Sequence, residues 1–103
     1  MKTYDVGERV TLSMTWRHLD TGALFDPHTV RVMLYRQYGD SVEYVHGVDP
    51  ELVRIAEGQY EAEYTPMQWG HWRYRWEALN NVGIMQDAEE RPFFVRRSWF
   101  RGG

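Results

Sequence analysis

Histidine and serine are the residues of this chain best suited to acid–base, nucleophilic or metal chemistry. None of the four histidines has a partner at the spacing of a helical metal motif. None of the three serines sits in the Gly-x-Ser-x-Gly turn that exposes a nucleophile. These seven residues are His18, His28, His46, His71, Ser13, Ser41 and Ser98. We expect no nucleophilic or histidine-ligated site.

The carboxylates offer a second route to chemistry. Asp87, Glu89 and Glu90 lie beside Arg91, and paired carboxylates can act as general acid and base. On a small β domain such a cluster is more often a solvated end. Asp20, Asp26 and Asp87 could supply oxygen ligands to calcium, but no Asp-x-Asp-x-Asp-Gly loop is present. The sequence therefore predicts no catalytic residue, no cofactor and no metal, and a small metal-dependent enzyme is the least favoured hypothesis.

The final segment has the composition of an interaction surface. Trp and Arg are enriched where binding energy concentrates, and the segment contains Arg96, Arg97, Trp99, Phe100 and Arg101. It either docks on a neighbouring subunit or folds back over its own domain. Trp69, in the loop of residues 66–70, is either a further contact or a cap on the core. These six residues are the predicted protein interface.

Alternation of apolar and polar residues predicts the elements that carry these groups. A period of two marks strands with one buried face, and turn residues recur every 8–12 residues, which is the spacing of a sandwich or barrel. Residues 50–57 are the one competitor, a helical turn too short to be stable alone. The predicted strands are 10–16, 30–35, 41–46, 53–55, 60–64, 72–78, 84–88 and 93–97, with Val53 and Ile55 sharing one face.

Residues 59–78 predict a hairpin closed by residues 66–70. In that register Tyr60 faces Trp76, Ala62 faces Tyr74 and Tyr64 faces Trp72. On the other face Glu61 lies across from Arg75 and Glu63 across from Arg73. Opposite charges across strands stabilise such pairs, and a slip by one residue would bury the arginines.

Composition limits the remaining classes. The chain has 103 residues, a net charge of −3 and no cysteine. One domain is expected, without disulfides and without the basic face of a nucleic-acid binder. No apolar run is long enough to span a membrane, and no signal peptide is evident. We expect a protein made in a cytoplasm.

Short motifs add a family resemblance. Gly58-x-Tyr60, Tyr64-x-Pro66 and Gly70-x-Trp72 resemble the pattern of filamin-type and bacterial immunoglobulin-like repeats. From Tyr4 to Val95 the chain resembles the small immunoglobulin-like proteins of tailed bacteriophages. Tyr4-Asp5-Val6-Gly7, Asp26-Pro27, the run 72–77 and Phe93-Phe94-Val95 carry this likeness.

The resemblance implies a two-sheet immunoglobulin-like sandwich of seven to eight short, mainly antiparallel strands over residues 1–95, with residues 96–103 as a tail. It implies a non-enzymatic virion part, either a capsid decoration protein or a head–tail (neck) accessory that binds larger virion proteins. A homo-oligomer is expected only in the assembled particle. The alternative is an adhesion or carbohydrate-binding module, with Trp69 and Trp99 as the platform for sugar rings.

Overall fold

The computed structural model describes residues 1–97, and these form eight β-strands and no helix. The all-β prediction is confirmed. No helix that could cross a membrane is found in this part of the chain. The strands are β1 (Lys2–Asp5), β2 (Val10–Thr15), β3 (Thr29–Arg36), β4 (Ser41–Val45), β5 (Leu52–Ala56), β6 (Gln59–Tyr64), β7 (Gly70–Leu79) and β8 (Met85–Arg96).

The strands form two sheets. One has five strands in the order β1-β8-β7-β3-β4, and the other has three in the order β2-β6-β5. β1 runs parallel to β8, and every other pair is antiparallel. β4 lies at a sheet edge, as predicted for residues 41–46.

One core joins the two sheets, and its centre is aromatic. Trp16, Trp72, Trp76 and Phe93 are fully buried, and Trp72 stacks on Phe93 with ring centroids 5.9 Å apart. Large flat side chains bury much apolar area each. The remaining buried apolar residues come from both sheets: Val6, Val10, Leu12, Val30, Val32, Leu34, Leu52, Tyr60, Ala62, Ala78 and Val95.

The predicted hairpin of β6 and β7 is wrong, because the chain changes sheets between these strands. β6 pairs with β2 and β5, whereas β7 pairs with β3 and β8. The tyrosine and tryptophan expected side by side, Tyr64 and Trp72, instead meet across the core with ring centroids 5.6 Å apart. Alternation identified the buried faces of β6 and β7 correctly, but it does not identify the neighbouring strand.

The charge pairs expected from that hairpin change accordingly. Glu61 lies opposite Ser13 on β2 rather than opposite Arg75. Glu63 forms its ion pair with Arg9, at 3.7 Å, rather than with Arg73.

Three further elements differ from the sequence prediction. β1 was not expected as a strand. The two expected last strands are one continuous β8, which contains Pro92. The shared face of Val53 and Ile55 is the exposed one, and Leu52 is the residue that β5 contributes to the core.

Candidate interaction surface

Two of the predicted interface residues meet at one end of the sandwich. The guanidinium of Arg97 lies 5.5 Å from the ring centroid of Trp69, within the range of a cation–π interaction. The pairing of Gly70 with Val95 brings the loop before β7 alongside the end of β8. Trp69 remains 49% exposed, so its ring is available from solvent.

Arg36 contacts both loops at this end of the sandwich. It is the last residue of β3, and its Nη1 donates to the carbonyl of Trp69 at 3.5 Å. The same guanidinium packs against the turn between β3 and β4: a Cβ at Gly39 would lie 2.6 Å from its Nη2. Gly39 therefore lets the turn approach the arginine. The turn is also held to β7, because the Gln37 amide donates to the His71 carbonyl at 2.9 Å.

Tyr38 at the tip of this turn was not predicted as a functional residue. Its φ of 61° lies in the left-handed region, which costs energy for a bulky residue and is common at functional sites. The side chain is 97% exposed. The sequence signal is a large aromatic directly before Gly39 and Asp40, which are residue types that mark a turn. We call Arg36, Tyr38, Trp69 and Arg97 the interaction end.

Arg96 does not belong to the interaction end. Its Nε donates to Asp5 Oδ1 at 2.5 Å, and this bond and the carboxylate charge raise the pKa of Arg96. It therefore fastens β1 to β8. Trp99, Phe100 and Arg101 lie outside the described residues.

The outer face of the five-stranded sheet carries a second polar cluster, centred on Glu77. This carboxylate is only 4% exposed and accepts hydrogen bonds from Arg31 Nε at 2.5 Å and Arg75 Nε at 2.7 Å. Burial favours a higher pKa for Glu77, but the bonds from Arg75 and Arg31 outweigh it and the net shift is downward.

Glu90 is the next carboxylate on this face. It accepts a hydrogen bond from the Tyr35 hydroxyl at 2.9 Å and one from Arg73 at 3.4 Å. Burial, followed by the bond to Glu90, raises the pKa of Tyr35. We call Arg31, Tyr35, Arg73, Arg75, Glu77 and Glu90 the ion-pair face.

The carboxylates at residues 87–90, for which the sequence favours a solvated end, are exposed or half-buried. Glu89 binds Arg91, with Nη2 and Oε1 2.5 Å apart, while Glu90 points to the ion-pair face and Asp87 bonds the amide of Ala88. A general acid at neutral pH needs a raised pKa. Glu77, the most buried carboxylate of the described residues, has a lowered one.

Asp26 forms a third polar cluster, at the end opposite the interaction end. Its carboxylate accepts two bonds from Arg54, at 3.0 and 2.9 Å, one from the Gly58 amide at 2.9 Å and one from the Tyr60 hydroxyl at 3.0 Å. The Arg54 and Gly58 bonds, in that order, lower its pKa strongly. Burial and the bond to Asp26 raise the pKa of Tyr60 to about 12.

This cluster has a structural role. Gly58 sits at φ +71°, and a Cβ there would lie 2.8 Å from the Trp16 carbonyl. Asp26 thus locks the loop of residues 16–28 onto the β5–β6 turn. Its oxygens are committed to the protein, and no group of three His, Asp or Glu side chains suited to a metal occurs among residues 1–97.

Comparisons with known proteins place the fold but not a family. No protein-family model matches the sequence, and no curated protein sequence does. A crystal structure of a putative glycoside hydrolase from Bacteroides vulgatus ATCC 8482 is similar, with a TM-score of 0.59 at 15% identity. The match covers 95% of this chain and 17% of the hydrolase chain. At that identity the likeness concerns the fold alone.

Proposed function

We propose that this chain is a non-enzymatic binding module that docks on a larger protein through the interaction end. Following the sequence resemblance, we propose that the assembly is a tailed-phage particle and that the chain decorates the capsid or joins the head–tail junction. One observation carries the docking proposal: an arginine-stacked tryptophan and a fully exposed tyrosine in a strained turn share one end of the molecule.

Strand order supports an immunoglobulin-like assignment. In that fold one sheet has the order A-B-E-D and the other contains C, F and G, with an added strand beside C in variable-type domains. β2-β6-β5 follows B-E-D, and β8-β7-β3-β4 follows the second sheet with its added strand. The first strand departs from the constant-type pattern, since β1 pairs with β8 instead of joining β2.

The residue types at the interaction end favour a protein partner. Tyr, Trp and Arg are the types most enriched in binding hot spots. Trp69 and Tyr38 are presented on loops, while Arg36 holds the two loops together. A scaffolded pair of exposed aromatics loses little conformational entropy on binding.

The non-enzymatic part of the proposal is supported by the carboxylates. Glu77 and Asp26 are held ionised by arginines, and Glu90 is bound by Tyr35 and Arg73. Carboxylates whose pKa is lowered, as it is for Glu77 and Asp26, are poor proton donors near neutral pH.

Co-sedimentation with purified phage particles tests this proposal. The purified chain is mixed with phage particles that were assembled without it. The wild-type chain should pellet with these particles, and the variant Y38A/W69A should bind them at least about tenfold more weakly. Leu19→Ala is the matched control, because Leu19 is 97% exposed in the loop at the opposite end. Absence of pelleting, or equal loss in the control, contradicts the proposal.

Trp69 also supports a second candidate, an adhesion or carbohydrate-binding module. A half-exposed indole can stack on a sugar ring, and the structurally similar protein is described as a putative glycoside hydrolase in which this fold is a small part. A glycan array distinguishes the two candidates. Glycan binding that Trp69→Ala abolishes favours the carbohydrate module, whereas particle binding without a glycan ligand favours the virion protein.

A further inference from the structure

Most arginines of residues 1–97 form an ion pair with a carboxylate of the same range. Those that do are Arg9, Arg31, Arg54, Arg73, Arg75, Arg91 and Arg96. Within this range Arg17, Arg36 and Arg97 form no such pair. Arg17 lies in the loop of residues 16–28, at the opposite end, and donates to the Gly22 carbonyl. Arg36 and Arg97 both belong to the interaction end, where they contact the same residue, Trp69.

Arg36 is held in a fixed place without a neutralising charge. Its half-buried side chain lies between two glycines: a Cβ at Gly39 would come within 2.6 Å of Nη2, and one at Gly70 within 3.5 Å of Cδ. A guanidinium has five N–H donors. Within residues 1–97 its one hydrogen bond is the 3.5 Å bond to the Trp69 carbonyl, and its buried Nε has no acceptor. Partial burial of a charge without a counter-charge is unfavourable, so an incoming carboxylate would stabilise this arginine.

The acidic residue nearest in sequence does not supply that carboxylate. Asp40 lies in the same turn as Gly39, but Arg36 contacts its backbone: the Arg36 amide donates to the Asp40 carbonyl at 2.8 Å. The exposed side chain of Asp40 forms no ion pair with any arginine of the described range. Asp5 is already paired with Arg96. Two guanidiniums therefore flank Trp69 without an ionic partner from residues 1–97.

We propose, on the basis of the docking function proposed above, that the partner presents a carboxylate side chain to Arg36 and Arg97, beside an apolar residue that packs on Trp69 and Tyr38. The occupant of the interaction end is thus an acidic segment of a protein. The planar fork of arginine matches a carboxylate, and the exposed rings need an apolar contact. A nucleic acid fits less well, because the chain has a net charge of −3 and two arginines neutralise few phosphates.

Selection from a library of random displayed peptides tests the chemistry of the partner without a phage particle. Peptides that bind the wild-type chain and not Y38A/W69A should be enriched in aspartate and glutamate beside aromatic or aliphatic residues. A synthetic copy of the most enriched peptide should bind R36Q/R97Q at least about tenfold more weakly than the wild type. Arg17→Gln is the matched control, because Arg17 also lacks an ionic partner within residues 1–97 but lies at the opposite end. Its affinity for the peptide should equal that of the wild type.

Arg97→Gln alone keeps the test valid if Arg36→Gln reduces stability. Arg97 is exposed, so its substitution should weaken peptide binding without unfolding the chain. Three outcomes overturn the proposal: no peptide depends on the interaction end, the peptides selected there lack acidic residues, or R36Q/R97Q binds an acidic peptide as tightly as the wild type. Tighter binding of a single-stranded DNA oligonucleotide than of the acidic peptide also overturns it, in favour of a nucleic acid.

Co-sedimentation with phage particles separates this proposal from the virion assignment. If acidic peptides bind at the interaction end but the chain does not pellet with particles, the virion assignment is wrong and the acidic partner stands. If the chain pellets through Tyr38 and Trp69 and R36Q/R97Q pellets equally well, docking stands and the acidic partner is wrong.

Discussion

The ion-pair face and the interaction end both contain arginines and aromatic side chains, but they use them differently. On the ion-pair face each of the two carboxylates accepts hydrogen bonds from its neighbours, so the charges satisfy one another. At the interaction end Arg36 and Arg97 contact a backbone carbonyl and an indole ring, and Tyr38 extends into solvent from a strained turn. In one region the charged groups are satisfied within the fold, whereas in the other the aromatic rings stay exposed, which is what the proposed docking role requires.

Among the substitutions that test this comparison, Glu77→Gln should have the largest effect on stability. The variant leaves Arg31 and Arg75 without their shared carboxylate, and removing one member of a buried ion pair is strongly destabilising. Because both arginines are about one-third exposed, we expect a loss of about 2–3 kcal/mol in the free energy of unfolding rather than more. Urea denaturation measures it.

Glu43→Gln is the control for this experiment. Glu43 lies on the neighbouring edge strand β4, and its change should stay within about 0.5 kcal/mol. A Glu77→Gln variant as stable as this control would show that the ion-pair face does not stabilise the fold.

Asp26→Asn should have the next largest effect. The variant loses the ionic bonds to Arg54 but can still accept from Gly58 and Tyr60, so we expect about 1–2 kcal/mol at neutral pH. The folded state lowers the pKa of Asp26 below its usual 3.8. Its contribution is therefore complete above that value and is lost as the pH falls below it.

The pH dependence of stability tests whether the charge of Asp26 is responsible for this effect. Urea midpoints of wild type and Asp26→Asn should converge as the pH falls from about 5 towards 2. Asp20→Asn, in the same loop, should follow the wild type at every pH. A constant difference across that range would mean that the charge of Asp26 does not stabilise the fold.

Sequence patterns identified the buried faces of the longer strands, because a period of two reports which side of a strand is apolar, but they failed for the short strand β5, whose Val53 and Ile55 are exposed. Trp72 and Trp76 were placed in the core for that reason, and they are there. Strand partners were not predictable in the same way: β6 and β7 are adjacent in sequence, but their five-residue connection crosses between sheets. Trp69 and Arg97 were marked by residue type alone. Tyr38 was missed because its strain and exposure depend on the turn that β3 and β4 impose.

Tyr38→Asn separates stability from binding at the interaction end. Asparagine tolerates the left-handed conformation better than tyrosine, so stability should stay equal or rise by about 0.5 kcal/mol. Affinity for phage particles should fall, because the exposed ring is removed. Urea denaturation and co-sedimentation measure the two effects. A destabilised variant with unchanged affinity would show that Tyr38 serves the turn and not a partner.

Arg97→Gln tests the smallest interaction in the comparison. An exposed cation–π contact is worth about 0.5 kcal/mol, so the free energy of unfolding should change by no more than that. Removing the guanidinium should nevertheless shift the indole N–H resonance of Trp69 in a ¹H–¹⁵N spectrum, assigned with Trp69→Phe. The resonance of the buried Trp72 indole N–H should not move, because this group donates to the Gln68 carbonyl at 3.1 Å.

Arg9→Gln, which removes an exposed ion pair elsewhere, is the control and should leave the Trp69 resonance unchanged. An unmoved Trp69 signal in Arg97→Gln would mean that the two side chains do not stack in solution, and the interaction end would then reduce to the two aromatic loops held by Arg36.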